Sequence, residues 1–130
     1  MSKELLFDTG VLLDIYKGRN RIKPYFDAYV KAGRLNYISV ISEAELWRGL
    51  HAHEIDRHNL LLAQFTILPL RSESARLAGS WMQQYQAIGL GWMDAFIVAT
   101  AVIADLTVLT RDKRLANLLV GRSNFVLYDE

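Results

Sequence analysis

Four acidic side chains stand where an apolar strand gives out or where a helix begins. They are Asp8 after Leu5-Leu6-Phe7, Glu45 in Ile41-Ser42-Glu43-Ala44-Glu45-Leu46, Asp94 after Gly91-Trp92-Met93, and Asp112 after Leu109-Thr110-Arg111. One carboxylate so placed is an ordinary helix cap. Four, carried by separate segments, imply negative charge gathered at one edge of a sheet. Such a cluster repels itself unless protons or a cation neutralise it, and Mg²⁺ or Mn²⁺ is the usual occupant of an all-carboxylate site. The chemistry suggested is metal-dependent hydrolysis, with a phosphodiester as the natural substrate.

The elements that must position these acids are read from apolar spacing. Leu5-Leu6-Phe7 is a short, continuously apolar strand, followed by Val11, Leu12, Ile15 and Tyr16 at helical spacing up to Gly18. Pro24 opens a second helix that Gly33 closes. Residues 35–40 are rich in β-formers, and a helix from about Ser42 follows, then another from Asp56 to Phe65. Residues 66–70 read as a strand, with Pro69 pointing to an edge or a strand end. Leu77, Ala78, Trp81, Met82, Tyr85 and Ile88 stripe one long helix, and residues 92–104 are apolar nearly all round, as in a buried helix. A strand over 107–110, a short helix over 111–119 and a strand over 125–128 complete the chain before an acidic tail. Strands alternating with helices imply an α/β fold, a three-layer α/β/α sandwich on a mostly parallel sheet, in one domain spanning residues 1–130. Ligands of such folds bind beyond the carboxyl ends of the strands, where three of the four acids should fall, while Glu45 reaches the same edge from the first turn of its helix.

Each acid has a competing structural role. Asp8 and Asp112 both suit a helix N-cap. Ser42-Glu43-Ala44-Glu45 matches a capping box, in which Glu45 reaches back to the Ser42 N–H. Glu43, two residues away, points about 200° round the helix and cannot share the Glu45 face. Asp94 is the most telling, because it lies on one face with Ile97, Val98 and Ala101 in a helix with almost no other polar side chain. A carboxylate at the edge of a buried element is costly unless paired or coordinated. Thr110 is suited to orient a carboxylate or a bound water.

Bulk properties bound the function. A chain of 130 residues supports one core, and no apolar run approaches the roughly 18 residues that span a bilayer. The N-terminus lacks the basic-then-apolar plan of a signal peptide. With no cysteine there is neither a disulfide nor a thiolate zinc site, so a cytoplasmic protein is expected. The net charge is only +1, so attraction to nucleic acid must come from local clusters: Lys17, Arg19, Arg21 and Lys23, or Arg111, Lys113 and Arg114 with Arg122. The second cluster brackets Asp112, where cations would hold phosphate beside a metal. His51, His53 and His58 lie in a polar stretch without partner cysteines and read as surface residues rather than a zinc site. Trp47, Leu50, Trp81 and Tyr85 are most simply core, with a partner groove as the alternative. No phosphate-binding glycine loop, serine elbow or cysteine–histidine pairing is present.

In order and content, these motifs resemble PIN-domain ribonucleases of the VapC toxin type. The resemblance is carried by Leu6-Phe7-Asp8-Thr9-Gly10-Val11-Leu12, Ile38-Ser39-Val40-Ile41-Ser42-Glu43-Ala44-Glu45-Leu46 with Gly49, Asp94-Ala95-Phe96-Ile97-Val98-Ala99 and Val108-Leu109-Thr110-Arg111-Asp112. It implies Mg²⁺ or Mn²⁺ held by Asp8, Glu45, Asp94 and Asp112, with Thr110 in support. It also implies endonucleolytic cleavage of RNA, in many members tRNA or another structured RNA. The implied partners are a small antitoxin that covers the site and binds operator DNA through its own N-terminal domain, and a second copy of the chain in a homodimer. The chain departs from the family at Gly10, where Asn or Ser is common, at Asp105, where Gly often precedes the last core strand, and at Lys113-Arg114-Leu115, which replaces an aromatic-containing stretch. None of these removes an acid. The alternative is a catalytically inert PIN-like module that binds RNA or protein through the same groove. A phosphoaspartate-forming phosphohydrolase would need an Asp-x-Asp where the chain has Asp8-Thr9-Gly10.

Overall fold

The computed structural model describes residues 4–128, and within them every strand pairing is parallel. Five strands lie in the order β3-β2-β1-β4-β5: β1 Leu5–Phe7, β2 Asn36–Ser39, β3 Thr66–Leu68, β4 Thr107–Thr110 and β5 Phe125–Leu127. The strands β1, β2 and β3 run outward in one direction, and β4 and β5 lie on the opposite side of β1. The strand order therefore reverses between β1 and β4, the place where open α/β sheets bind ligands. Pro69 directly follows β3, an edge strand, as its missing N–H requires. The acidic tail lies outside the described residues.

Alternation along the short strands builds two cores. Leu6 and Val108 face one layer, with Ala78, Trp81 and Met82 of α5 (Ser72–Tyr85), Ala95 to Ala101 of α6 (Trp92–Ile103), and Leu115 of α7 (Lys113–Leu118). Leu5, Phe7, Ile38 and Leu109 face the other, with Val11 and Leu12 of α1 (Thr9–Tyr16), Val30 of the α2 region, and Leu61 and Leu62 of α4 (Ile55–Leu62). Burial on both faces explains why β1 and the Val108-Leu109 centre of β4 are continuously apolar rather than alternating. The α2 region begins at Lys23–Tyr25 and widens into a π-helical stretch over Phe26–Lys31.

The helix α3 (Val40–Arg48) starts two residues before the position expected from Ser42. Ser39, not Ser42, is its N-cap, accepting a bond from the Ile41 N–H at 3.0 Å. The β-branched pair Val40-Ile41 resembles strand in sequence, but the fully buried Ser39 hydroxyl ends β2 and opens the helix. Ser39→Ala is expected to lower stability by about 1 kcal/mol in urea unfolding, with the midpoint falling and the slope unchanged. The departure at Asp105 also has a backbone cause. Its φ is +57°, in the left-handed region after α6, which glycine fills most easily and which aspartate tolerates better than most residues.

Candidate active site

Asp8 leaves β1 beside the end of β4, with its N–H bonded to the Leu109 carbonyl at 3.0 Å. Its carboxylate is held on both sides. Oδ1 accepts from the Thr9 N–H at 2.8 Å, capping α1, and Oδ2 accepts from the buried Thr110 hydroxyl at 2.8 Å. The Thr110 oxygen in turn accepts from the Asp112 N–H at 3.0 Å. Asp112 then caps α7 through a 3.0 Å bond from the Leu115 N–H. Both acids therefore do serve as helix caps, and the caps aim them at one another across the strand ends. Each carboxylate oxygen has two acceptor sites, so capping leaves capacity for a further partner.

The structure excludes the capping-box reading of Glu45. No capping box forms at Ser42, which is buried inside α3. Glu45 instead accepts from the Thr9 hydroxyl at 2.7 Å, while Ser42 Oγ lies 2.9 Å from the same hydroxyl. Thr9, expected only to share a cap, thus joins α1 to α3 and orients Glu45. Thr9→Val removes this hydroxyl and is expected to lower the activity of the site by about tenfold, the lower end for loss of a group that orients a functional carboxylate. Steady-state kinetics and a circular dichroism melt would separate that loss from unfolding.

Asp94 enters from α6, which is capped by the Gly91 backbone without a side-chain bond. Among the described residues nothing donates a hydrogen bond to its carboxylate. Partial burial, followed by the negative charges of Asp8, Asp112 and Glu45, pushes its pKa up to about 6, with Arg114 opposing. Burial chiefly, and the charges of Asp112 and Glu45 in addition, also raise Asp8 against the hydrogen bonds from Thr110 and Thr9. The four acids, with Thr110, are therefore one electrostatic cluster, as their spacing in the sequence implies.

The donor set is all oxygen, partly solvated and short of cations. No three histidine or acidic side chains among the described residues close round a single point as a finished cage. An ion such as Mg²⁺, which keeps several waters and takes one or two carboxylates plus substrate phosphate, does not call for such a cage. The Asp94 carboxylate, with no hydrogen-bond donor among the described residues, is the position most in need of a cation.

The basic cluster separates. Arg111 is turned inward, its Nη1 donating to the buried Asp14 at 2.6 Å. Arg114 donates to the Gly89 carbonyl at 2.8 Å, bracing the turn before α6, and Lys113 is exposed. The sequence reading missed Asp14, although it lies three residues after Val11 on the buried face of α1. The histidines do not gather: His51 and His53 stack on the surface, and His58 is buried against Trp47. Trp81 is core as expected, but Trp47 is 53% exposed. Next to it in the chain, Leu46 joins Leu13, Tyr16, Glu45 and Leu50 in lining a groove of about 380 Å³, which reaches Glu45 of the four acids.

Comparison with known proteins is consistent with this geometry. The family model described as PIN domain matches residues 5–119. Ribonuclease VapC10 of Mycobacterium tuberculosis is 36% identical over 110 residues, 82% of this chain and 80% of that protein. Among solved structures, a toxin–antitoxin complex from Klebsiella pneumoniae matches with TM-score 0.78 and 29% identity, covering 95% of this chain and 96% of that one. The fold is also that of DNA-bound VapBC from Salmonella typhimurium, with TM-score 0.79 and 19% identity over 97% of this chain and 98% of that one.

Proposed function

The chain belongs to the PIN-domain family, and from that premise we propose that Asp8, Glu45, Asp94 and Asp112 hold Mg²⁺ or Mn²⁺ for hydrolysis of RNA phosphodiesters. It is an RNA-cleaving nuclease, a homologue of the VapC ribonucleases of toxin–antitoxin pairs. The observation that supports the metal is Asp94, a carboxylate that has no hydrogen-bond donor among the described residues and that burial, and then three neighbouring acids, push towards protonation. A divalent ion held there would supply Lewis-acid chemistry for the scissile phosphate. The residues do the rest. Asp8, Glu45 and Asp94 would be the primary ligands, and Asp112 would help hold the ion and position the nucleophile. Thr110 keeps Asp8 and Asp112 in register, and Thr9 does the same for Glu45. Lys113 and Arg114 hold flanking phosphates, whereas Arg111 is committed to Asp14.

The substrate proposed is tRNA or another structured RNA, met in the cytoplasm. A small antitoxin covers the site, with a segment lying along the groove beside Glu45, and carries the operator-DNA contact itself. The toxin is proposed to act as a homodimer. Titration calorimetry with Mn²⁺ tests the ligand set. Wild type is expected to bind, and Glu45→Gln to bind at least about tenfold more weakly. Wild type that takes up no Mn²⁺ would overturn the metal reading.

A further inference from the structure

Asp14 takes no part in the nuclease site, yet it is the most heavily hydrogen-bonded side chain described. It is 1% exposed in the middle of α1. Its Oδ1 accepts from Arg111 Nη1 at 2.6 Å and Arg21 Nη2 at 3.1 Å, and its Oδ2 from the Tyr128 hydroxyl at 2.7 Å and Arg21 Nε at 3.0 Å. These partners come from the segment after α1, the turn after β4 and the residue after β5. A carboxylate with two arginines and a phenol is far more than a single helix needs for its own stability.

Arg111 is the informative partner. Its backbone joins Thr110, which bonds Asp8, to Asp112. Its side chain runs back over Gly10, where a β-carbon would stand 3.0 Å from Nε. A side chain at that position would crowd the arginine, so Gly10 and the Asp14–Arg111 pair belong to one arrangement. The pair fastens the turn between two site residues to α1, the helix that begins at Asp8.

We propose that Asp14 is a positioning residue of the nuclease site: by gripping Arg111 it fixes the Thr110–Asp112 turn, and hence the placement of Asp112 against Asp8. The consequence for metal binding rests on the reading of the acids as a metal site; the consequence for the turn does not. Asp14→Asn leaves two arginines facing a neutral partner and destabilises the fold itself, so the decisive variant is Arg111→Met, which keeps an unbranched stem over Gly10 without the guanidinium.

Two readouts are taken on that variant. In metal-free protein, hydrogen exchange at the Asp112 amide is expected to quicken at least about tenfold relative to amides in the middle of α6, because its bond to Thr110 loosens. With Mn²⁺, affinity and kcat are expected to fall about 10- to 100-fold, the usual range for outer partners of metal ligands, while KM for RNA stays within about twofold. Arg111→Lys, which restores a cation to Asp14, should recover most of both. Unchanged exchange at Asp112 would overturn the proposal. So would a raised KM with unchanged kcat and a salt slope lower by about one, the signature of a direct phosphate contact. If wild type binds no Mn²⁺ but exchange at Asp112 still quickens, the metal reading fails and the positioning role stands.

Discussion

Asp94→Asn is expected to abolish RNA cleavage, lowering kcat by at least about a hundredfold, since metal-ion charge stabilisation is worth several kcal/mol in the transition state. The same substitution should make the metal-free protein more stable. The Asp94 pKa is raised from 3.8 to about 6 by burial and then by Asp8, Asp112 and Glu45. Its ionised form is therefore disfavoured in the folded state, and the native protein holds the extra proton between those two values. Stability must fall as pH rises through that window and stay low at pH 7. Allowing for solvent screening of a partly exposed group, relief by asparagine amounts to about 1–2 kcal/mol. Urea unfolding at pH 5 and pH 7.5 checks the sign: the variant's advantage should appear at pH 7.5 and shrink at pH 5. An active variant, or one destabilised at both pH values, would contradict the assignment of Asp94.

Asp14→Asn should act in the opposite sense and by more, destabilising the fold by about 3 kcal/mol. Removing one partner of a buried ion pair typically costs 3–5 kcal/mol, and the lower end applies because Arg21 and Arg111 reach solvent in part. Burial raises the Asp14 pKa, but the bonds from Arg21 and Tyr128 and the charges of Arg111 and Arg21 outweigh it, so the net shift is downward. A depressed carboxylate contributes stability above its unfolded pKa and loses it as pH falls through the folded one. The two acids give the wild-type profile a characteristic shape. Stability should rise from pH 7 towards pH 5 as Asp94 takes up its proton, then collapse under strongly acid conditions as Asp14 does. In Asp14→Asn the acid collapse should be blunted, and the urea midpoint should already be low at pH 7.

Much of this arrangement was legible in the sequence because its causes are local. The runs Leu5-Leu6-Phe7 and Val108-Leu109 are apolar on both faces because both are buried, and acids immediately after such strands must emerge at their carboxyl ends. Asp94 stood out because its helix had little other use for a charge. What escaped was set by contacts distant in sequence. Arg111 was grouped with Lys113 and Arg114 by adjacency, yet its partner lies 97 positions away. Ser42 and Glu45 have the spacing of a capping box, but Ser39 took the cap, and Thr9, 36 positions from Glu45, took its carboxylate. Trp47 shares a helical period with core positions but sits where α3 borders a groove, which periodicity alone cannot reveal.

The central claim is that the acid cluster binds a divalent metal in order to cut RNA. The direct measurement is incubation of total RNA with purified, antitoxin-free protein in Mg²⁺ or Mn²⁺, with EDTA, and with EDTA followed by excess metal. Discrete fragments that vanish with EDTA, return with metal and are absent with Asp94→Asn are the expected result, and their ends would identify the RNA. Fragments that persist in EDTA would contradict the claim, as would a protein that binds RNA without cutting it under any of these conditions.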